Sequence, residues 1–372
     1  MKIGVVTFWW GNDNYGQIAQ CFALQQVLKS LGHEPFIVRC RPQASWKSKI
    51  ARLLRVVKSP KSYFRQKKWE RIVRPRNRKF REFLEDHCEF SVQNFCSFSE
   101  LKENCPEADC FIAGSDQVWN CNPDNNGRIW FLDFVPEGRR KIAYAASFGK
   151  IRTTSIFKKF CREKLRGFSS IGVREKEGET FLASLGVSST CVLDPTLLLT
   201  REDYEKYAGL RDSAPEKPFT FCYWLGRHDP KDVLPCGEVA EILSKNAWDL
   251  KSVVAGVPFP VFGLGRPDSL MLPQWISAIR DAEAVFTNSF HGMVFCLIFN
   301  KPMVVFPALS GIGNGRLHSL LSLCGLEDRI YVPKTNTVES ILAREINWKR
   351  VNDSLEIERF RSSTFLASAL RS

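Results

Sequence analysis

The sequence predicts an α/β protein with two Rossmann-like domains. Apolar runs of strand length alternate with helical patterns along the chain, and polar turns follow several of these runs. A polar segment with two prolines, residues 211–218, separates two such sets. At 372 residues the chain is also long for a single hydrophobic core, so two domains are expected.

The N-terminal domain is predicted to span residues 1–210. Lys2–Phe8 has the pattern of a buried strand, Gln17–Leu31 has apolar residues at helical spacing before the C-cap residue Gly32, and Pro35–Arg39 forms a second strand. This order is a Rossmann-like opening, but its loop lacks GxGxxG, so no dinucleotide site is predicted. Further strands of this domain are expected at Cys110–Ala113, Trp130–Phe134, Lys141–Ala146, Ser170–Val173 and Thr190–Leu193.

The C-terminal domain is predicted to span residues 211–336, and residues 337–372 form a helical tail. Helices are expected near Val233–Asn246 and at Leu272–Ala282. The strands of this domain are expected at Phe219–Leu225, Ser252–Ala255, Ala284–Phe286 and Met303–Phe306.

Polar side chains cluster where the strand Ala284–Phe286 gives way to a helix. Asn288, Ser289 and His291 occupy this turn. In open α/β sheets ligands bind at the carboxyl ends of strands, and a helix N-terminus favours an anion there. A histidine in that position suits proton transfer. The alternative is that Asn288 or Ser289 merely caps the helix.

Three further polar residues follow predicted strands of the N-terminal domain. Asp116, Arg174 and Asp194 each come directly or almost directly after a buried apolar run. Any one of them could be a helix cap or an exposed turn residue. Because the carboxyl ends of parallel strands share one edge, the three together outline a cleft.

The basic character of the chain is confined to one segment. The net charge is +13, yet residues 47–81 contain 15 Lys/Arg and one acid, while the remainder has 38 basic and 39 acidic residues. Residues 46–58 have the pattern of a basic amphipathic helix, which is typical of contact with an anionic membrane surface or phosphate groups. A solvated helical excursion over 45–83 is the alternative. Nucleic acid is a third possibility, but no recognition motif accompanies the segment, and we expect no nucleic-acid partner.

The cysteine and histidine patterns argue against disulfides and metal. Thirteen cysteines include no CxxC pair, and several sit inside apolar runs where a thiol behaves as a small hydrophobe. The five histidines lack HxH or HxxxH spacing, so no metal site is expected. No other cofactor is expected either. The N-terminus is typical of a first strand and no apolar run reaches membrane-span length. We therefore expect a cytoplasmic protein.

Several turns together resemble the polysaccharide pyruvyl transferase family. The matching pieces are NYGQIAQCFALQQVLKSLGHE, FIAGSDQVWN, YAASFG, VREKEG, VLDPTLLL and TNSFHGMVFCLIFNKPMVV, in family order over most of the chain. The basic segment lies outside this shared pattern. The resemblance implies two Rossmann-like domains facing each other across a cleft, as in glycosyltransferase-B enzymes. It also implies transfer of pyruvate from phosphoenolpyruvate to a sugar as a cyclic ketal.

The resemblance also implies roles for individual residues. Arg174 matches a donor-binding arginine of the first domain, and His291 matches the histidine of an Arg-x-His element in the second. Ser289 stands where that element has arginine, and Arg316 is a candidate to supply the missing charge; Asn288 joins these donor-binding candidates. His291 is the leading candidate for proton transfer, with Asp116 as its possible partner.

Two other functional classes remain open at this point. A glycosyltransferase could use a nucleotide-sugar donor in the same cleft, although no acidic pair is assignable to a ribose or a metal diphosphate. A non-catalytic scaffold anchored by the basic segment is the third class. If the acceptor glycan is linked to a lipid diphosphate, residues 46–81 would bring the enzyme to the inner face of the cell membrane.

Overall fold

The computed structural model describes residues 1–10, 13–42, 60–210, 215–225, 234–255, 270–307 and 314–371. These residues form two parallel β-sheets with helices packed on their faces. The first sheet has six strands in the order β2-β1-β3-β4-β5-β6, and the second has four in the order β10-β9-β7-β8. The predicted α/β class is therefore confirmed.

Apart from the edge strand β6, the first sheet is built from short apolar strands that are largely buried on both faces, as expected for parallel sheets covered by helices. Its strands are β1 (Lys2–Val6), β2 (Glu34–Ile37), β3 (Cys110–Ala113), β4 (Arg140–Ala146), β5 (Ser170–Val173) and β6 (Thr190–Cys191). The helices in this part are α1 (Tyr15–Ser30), α2 (Pro60–His87), α3 (Phe98–Glu103), α4 (Asn125–Trp130), α5 (Ser155–Leu165), α6 (Lys176–Ser184) and α7 (Arg201–Tyr207). A 3-10 turn, Pro195–Leu197, follows β6.

The second sheet follows the same α/β alternation. Its strands are β7 (Phe219–Leu225), β8 (Asp249–Ala255), β9 (Ala284–Thr287) and β10 (Met303–Val305). The remaining helices are α8 (Cys236–Asn246), α9 (Leu272–Asp281), α10 (Phe290–Ile298), α11 (Asn314–Cys324), α12 (Val338–Leu342) and α13 (Trp348–Arg371). A 3-10 turn, Glu327–Arg329, precedes α12.

The topology fixes where a ligand site is expected. The chain order reverses between β1 and β3 in the first sheet and between β7 and β9 in the second. In open α/β sheets such switch points, at the carboxyl ends of the strands, are where ligands bind. α1 leaves the end of β1 and α10 leaves the end of β9, so both helix N-termini lie at these carboxyl edges.

The predicted strand at Trp130–Phe134 is wrong. Residues 125–130 form α4, and four turn residues follow it. Asp124 caps this helix by accepting a hydrogen bond from the Gly127 N–H at 2.8 Å, and Leu132 adopts a left-handed backbone with φ 51°. The apolar run is buried because Phe131 stacks on Trp119, with ring centroids 5.3 Å apart. A buried helix end and turn thus produced a strand-like pattern.

The structure describes only part of the basic segment. Residues 43–59, which include the predicted amphipathic helix at 46–58, lie outside the described part of the chain. Residues 60–87 form α2, whose C-terminal half packs into the protein through Val73, Arg76, Phe80, Phe83 and Leu84. The C-terminal half of α2 is therefore part of the hydrophobic core. The charge pattern of the sequence did not indicate this.

Arg76 of α2 joins the two sheets. Its Nη1 lies 2.5 Å from Asp13 Oδ1 and also donates to the backbone carbonyl of Val254 at the end of β8, at 3.2 Å. Both members of the ion pair are about 3 % exposed. Tyr15 adds two further contacts to this part of the protein. Its hydroxyl donates to the Leu270 carbonyl at 2.8 Å, and its ring stacks on Trp275. The loop after β1 therefore docks against the second sheet.

The C-terminal tail packs against the first sheet. The Ser362 hydroxyl of α13 accepts a hydrogen bond from the Leu193 N–H at 2.9 Å, and Arg359 Nε donates to the Leu197 carbonyl at 2.9 Å. The boundaries at residues 210 and 336 stay predictions, and the linker 211–218 lies partly outside the described residues.

All thirteen cysteines are free thiols. Burial raises the pKa of Cys88 to about 12, so this thiol stays neutral and acts as a small apolar side chain. Within the described ranges, no helix combines the length and apolar character that a membrane span needs.

Candidate active site

Four side chains from both sheets meet at the carboxyl edges of the strands. Asp116 is the third residue after β3, Arg174 directly follows β5, Asp194 is the third residue after β6, and His291 lies in the first turn of α10. Each is less than 10 % exposed. The prediction that these turn residues share one edge of the fold therefore agrees with their positions.

Arg174 is the central cation of this cluster. Its Nη1 donates to Asp194 Oδ2 at 2.9 Å, whereas Asp116 Oδ1 lies 3.8 Å from Nη2 and Glu175 Oε2 lies 3.9 Å from Nε. Among the described residues, Nε and Nη2 have no hydrogen-bond partner. Burial acts to lower the pKa of Arg174, but the three carboxylates outweigh it and raise that pKa. The guanidinium is thus charged, and its Nε–Nη2 edge can still donate hydrogen bonds.

Asp194 is fully buried and accepts hydrogen bonds from several directions. Oδ2 accepts from Arg174 and from Ser115 Oγ, the latter at 2.8 Å, and Oδ1 accepts from the Thr196 hydroxyl and N–H at 2.6 and 3.1 Å. Burial alone would raise the pKa of Asp194. The nearby His291 and Arg174 reverse this effect and hold the pKa well below its usual range, so the carboxylate is ionised.

His291 lies between the two sheets. Its Nε2 is 3.5 Å from Asp194 Oδ2, which is ion-pair distance when the ring is protonated. On its other side the ring abuts Gly16 in the first turn of α1: a Cβ built on Gly16 would lie only 1.9 Å from His291 Nδ1. The backbone of the first domain therefore holds the imidazole against the carboxylate of Asp194.

Ser289 and Asn288 have structural partners in the turn before α10. The Ser289 hydroxyl caps α10 by accepting from the Gly292 N–H at 3.3 Å. The Asn288 amide accepts from the Leu225 N–H at 2.7 Å and donates to the Leu225 carbonyl at 2.6 Å. The Ser289 contact agrees with the helix-capping alternative, and the Asn288 contacts tie the end of β7 to the turn after β9. A role of either residue in donor binding stays a prediction.

Arg316 approaches the same cluster from α11. Its guanidinium lies 5.7 Å from the centre of the Phe290 ring, and the Arg174 guanidinium lies 4.9 Å from that centre. Burial, together with the nearby positive charge of Arg174, lowers the pKa of Arg316 to about 10. Its buried Nε has no hydrogen-bond partner within the described chain. Two cations thus share one aromatic ring.

Asp116 sits in an uncommon backbone conformation. Its φ is 76°, in the left-handed region that non-glycine residues rarely occupy. Oδ1 accepts from the Gln117 N–H at 2.8 Å, and the Asp116 carbonyl accepts from the Ser147 N–H at 3.0 Å. This turn holds the carboxylate beside Arg174, and backbone strain of this kind is frequent at functional sites.

A cavity of about 300 Å³ opens onto this cluster between α11 and α13. Arg174, Asp194 and Arg316 form part of its wall, whereas His291, which contacts Asp194, does not line it. The charged residues around the cavity are Arg174, Lys176, Glu179, Asp194, Arg316, Glu358 and Arg361. Two larger cavities of about 770 Å³ each include the opposite, amino-terminal ends of strands and none of the candidate site residues.

Sequence reasoning missed three features of this site. Asp194 was identified only as part of the cleft outline, Glu175 was not singled out, and Gly16 was only part of a matched motif. Asp194 had a detectable signal, an Asp-Pro-Thr turn directly after a strand. The approach of Gly16 to His291 had none, because it depends on how the two sheets pack.

Metal chemistry has no assignable centre among the residues that the structure describes. No group of three His, Cys, Asp or Glu side chains there is arranged to hold an ion.

Comparison with solved structures identifies the fold. UDP-N-acetylglucosamine 2-epimerase from Rickettsia bellii matches at 8 % identity with a TM-score of 0.54, over 99 % of this chain and 96 % of that one. The Methanocaldococcus jannaschii enzyme of that name matches at 13 % identity with a TM-score of 0.52, over 97 % and 99 %. At such identities only the fold is shared: two Rossmann-like domains facing each other across a cleft, the glycosyltransferase-B-like architecture that was predicted.

Sequence comparison identifies the family. No curated protein sequence matches the chain. The family model described as polysaccharide pyruvyl transferase matches residues 14–251 and 266–308, which is well over half of the 372 residues. This match confirms the resemblance carried by the turn motifs. The chain belongs to the polysaccharide pyruvyl transferase family, and is thus a transferase of polysaccharide pyruvylation.

Proposed function

We propose that this protein takes phosphoenolpyruvate as its donor and transfers the pyruvyl group to two hydroxyls of one sugar as a cyclic ketal. The observation that carries the proposal is the pair of guanidinium groups, Arg174 and Arg316, around Phe290. Both have buried N–H groups without partners in the described chain. Cations whose buried donor atoms lack partners are suited to a ligand that carries several negative charges.

The two arginines suit the two anionic groups of the donor. In Arg174, Asp194 occupies Nη1, so the Nε–Nη2 edge is left to form two parallel hydrogen bonds to a carboxylate or phosphate. Arg316 supplies a second guanidinium at the same aromatic ring. Ser289 cannot replace the arginine of the family's Arg-x-His element. Arg316 therefore takes over that charge in this proposal.

The reaction requires proton transfer at two points. A proton adds to C3 of phosphoenolpyruvate, and a sugar hydroxyl oxygen bonds to C2. The second hydroxyl oxygen then bonds to C2 as the bond from C2 to the phosphate oxygen breaks. One of the two hydroxyl protons replaces the proton that was added to C3, and the other leaves with phosphate. We assign proton transfer to His291, oriented by Asp194, with Asp116 beside Arg174 as its partner.

Calorimetric titration with phosphoenolpyruvate tests the donor assignment. We expect saturable binding by the wild type and weaker binding by Arg316→Met. Arg139→Met removes an exposed cation away from the site and serves as the control. Binding of a UDP-sugar in place of phosphoenolpyruvate would contradict the proposal and favour the glycosyltransferase alternative.

The acceptor belongs to a separate part of the proposal. We infer that it is a glycan linked to a lipid diphosphate, and that cations of residues 46–81 hold the protein on the anionic inner face of the membrane. Removing this whole segment would be uninformative, because Arg76 and Phe80 are part of the core. Lys47, Lys49, Arg52, Arg55 and Lys58 should be changed to glutamine together.

Vesicle sedimentation then tests the membrane contact. With vesicles rich in phosphatidylserine, we expect the wild type to sediment and the glutamine variant to remain in solution, with loss of wild-type binding at high salt. Neutral vesicles provide the control. Equal sedimentation of both proteins with anionic vesicles would overturn the membrane proposal without affecting the donor assignment.

A further inference from the structure

We infer that Asp194 is a positioning residue of this site: it holds Arg174 and His291, which come from different sheets, in one geometry for donor binding and proton transfer. The inference rests on the proposed function. It assigns a role to a side chain that does not itself have to touch the reacting atoms.

The first argument is the number and direction of the contacts to Asp194. Ser115 fixes the carboxylate from the end of β3, Arg174 contacts it from the end of β5, and Thr196 fixes its other oxygen through two hydrogen bonds. Three segments of the first domain therefore determine where this carboxylate points. A carboxylate with this many donors has little freedom to rotate.

The second argument is that a single oxygen serves both functional groups. Oδ2 lies 2.9 Å from Arg174 Nη1 and 3.5 Å from His291 Nε2. Because Gly16 closes off the other side of the imidazole, His291 has little room to move away from this oxygen. A displacement of Asp194 would thus be transmitted to the donor-binding cation and to the proton-transfer group together.

The third argument concerns which edge of Arg174 is used. Asp194 takes Nη1 and leaves Nε and Nη2 without hydrogen bonds among the described residues. If that carboxylate were neutral or absent, the guanidinium could turn toward Asp116 or Glu175, which lie 3.8 and 3.9 Å away. The edge needed for the anionic donor would then be occupied. Asp194 therefore keeps the binding edge free as well as fixing the cation.

The experiment is a kinetic comparison of Asp194→Asn with the wild type. We expect a rise of about tenfold in the KM for phosphoenolpyruvate and a fall of about 100-fold in kcat, since misplaced catalytic groups cost rates of this order. A purely structural residue would lower the active fraction, and hence the apparent kcat, without changing KM. Burst titration or calorimetric stoichiometry gives that fraction.

A second variant keeps the test valid if Asp194→Asn does not fold. The double change Ser115→Ala, Thr196→Val removes two side-chain hydrogen bonds to Asp194 but preserves its charge, with Tyr331→Phe as a remote hydrogen-bond control. We expect a higher KM for phosphoenolpyruvate and a lower kcat in the double variant alone. Unchanged KM and kcat in that variant, or in folded Asp194→Asn, would overturn the inference.

The failure of this inference can be told from failure of the proposed function. Wild-type protein that does not bind phosphoenolpyruvate would overturn the donor assignment whatever Asp194 does. Wild-type protein that binds and transfers, together with an Asp194→Asn variant of equal KM and kcat, would overturn only the role of Asp194.

Discussion

Gly16 lies directly against the imidazole of His291, so the first turn of α1 and the first turn of α10 meet at the candidate active site. A Cβ on Gly16 would be 1.9 Å from His291 Nδ1 and 2.2 Å from Cγ. No real side chain fits at such distances. The position accordingly requires glycine because of close approach, and not because of an unusual φ. The contact joins the two domains at the residue that we assign to proton transfer.

Substitution of Gly16 by alanine should displace His291. We expect the Gly16→Ala variant to lose about 100-fold in kcat, because a shift of about 1 Å in a catalytic group has effects of this size. Gly237→Ala in α8 is a matched control, since nothing lies within 4 Å of its added methyl group. Transfer kinetics of both variants check this. Wild-type activity of Gly16→Ala would show that His291 does not need this position.

Arg316 should contribute to donor affinity and not to folding. Replacement by methionine keeps the length of the side chain and removes its charge. A charge-assisted hydrogen bond contributes about 1.5–3 kcal/mol, so we expect the Kd for phosphoenolpyruvate to rise by about 10- to 100-fold. Calorimetry measures this Kd. An unchanged Kd would mean that Arg316 does not replace the arginine missing at Ser289.

The ion pair between Arg76 and Asp13 should stabilise the packing of α2 and the second sheet. Arg76→Ala removes the cation from a buried carboxylate, a change that typically costs about 3–5 kcal/mol. Urea unfolding should show a free energy of unfolding lower by that amount. Arg78→Ala is the control two residues away, because its pair with Glu82 is exposed and worth less than about 1 kcal/mol. Equal effects of both changes would argue against the bridging role.

The sequence predicted the succession of strands and helices along the chain well. Alternating apolar runs and helical patterns correctly predicted the strands of both sheets, because burial on both faces leaves a clear signal. The one wrongly predicted strand is Trp130–Phe134. The positions of Asp116, Arg174 and His291 followed from the same logic, since the carboxyl ends of parallel strands share an edge.

Contacts between distant segments could not be predicted in this way. The burial of Arg76 was hidden by the surrounding cations, although its partner Asp13 stands in the loop after β1. The same holds for Asp194, whose pairing with Arg174 and His291 depends on the register of β5 and β6 and on the packing of two domains. Such contacts leave no periodic pattern in one sequence.

The most direct test of the central claim is a transfer assay followed by mass spectrometry. Phosphoenolpyruvate and a galactose-containing glycan are incubated with the wild type, His291→Ala or Arg174→Ala. We predict an acceptor heavier by one pyruvyl ketal with the wild type, and none with either variant. Absence of this product across several sugar acceptors, together with thermal stabilisation of the protein by a nucleotide sugar, would contradict the assignment.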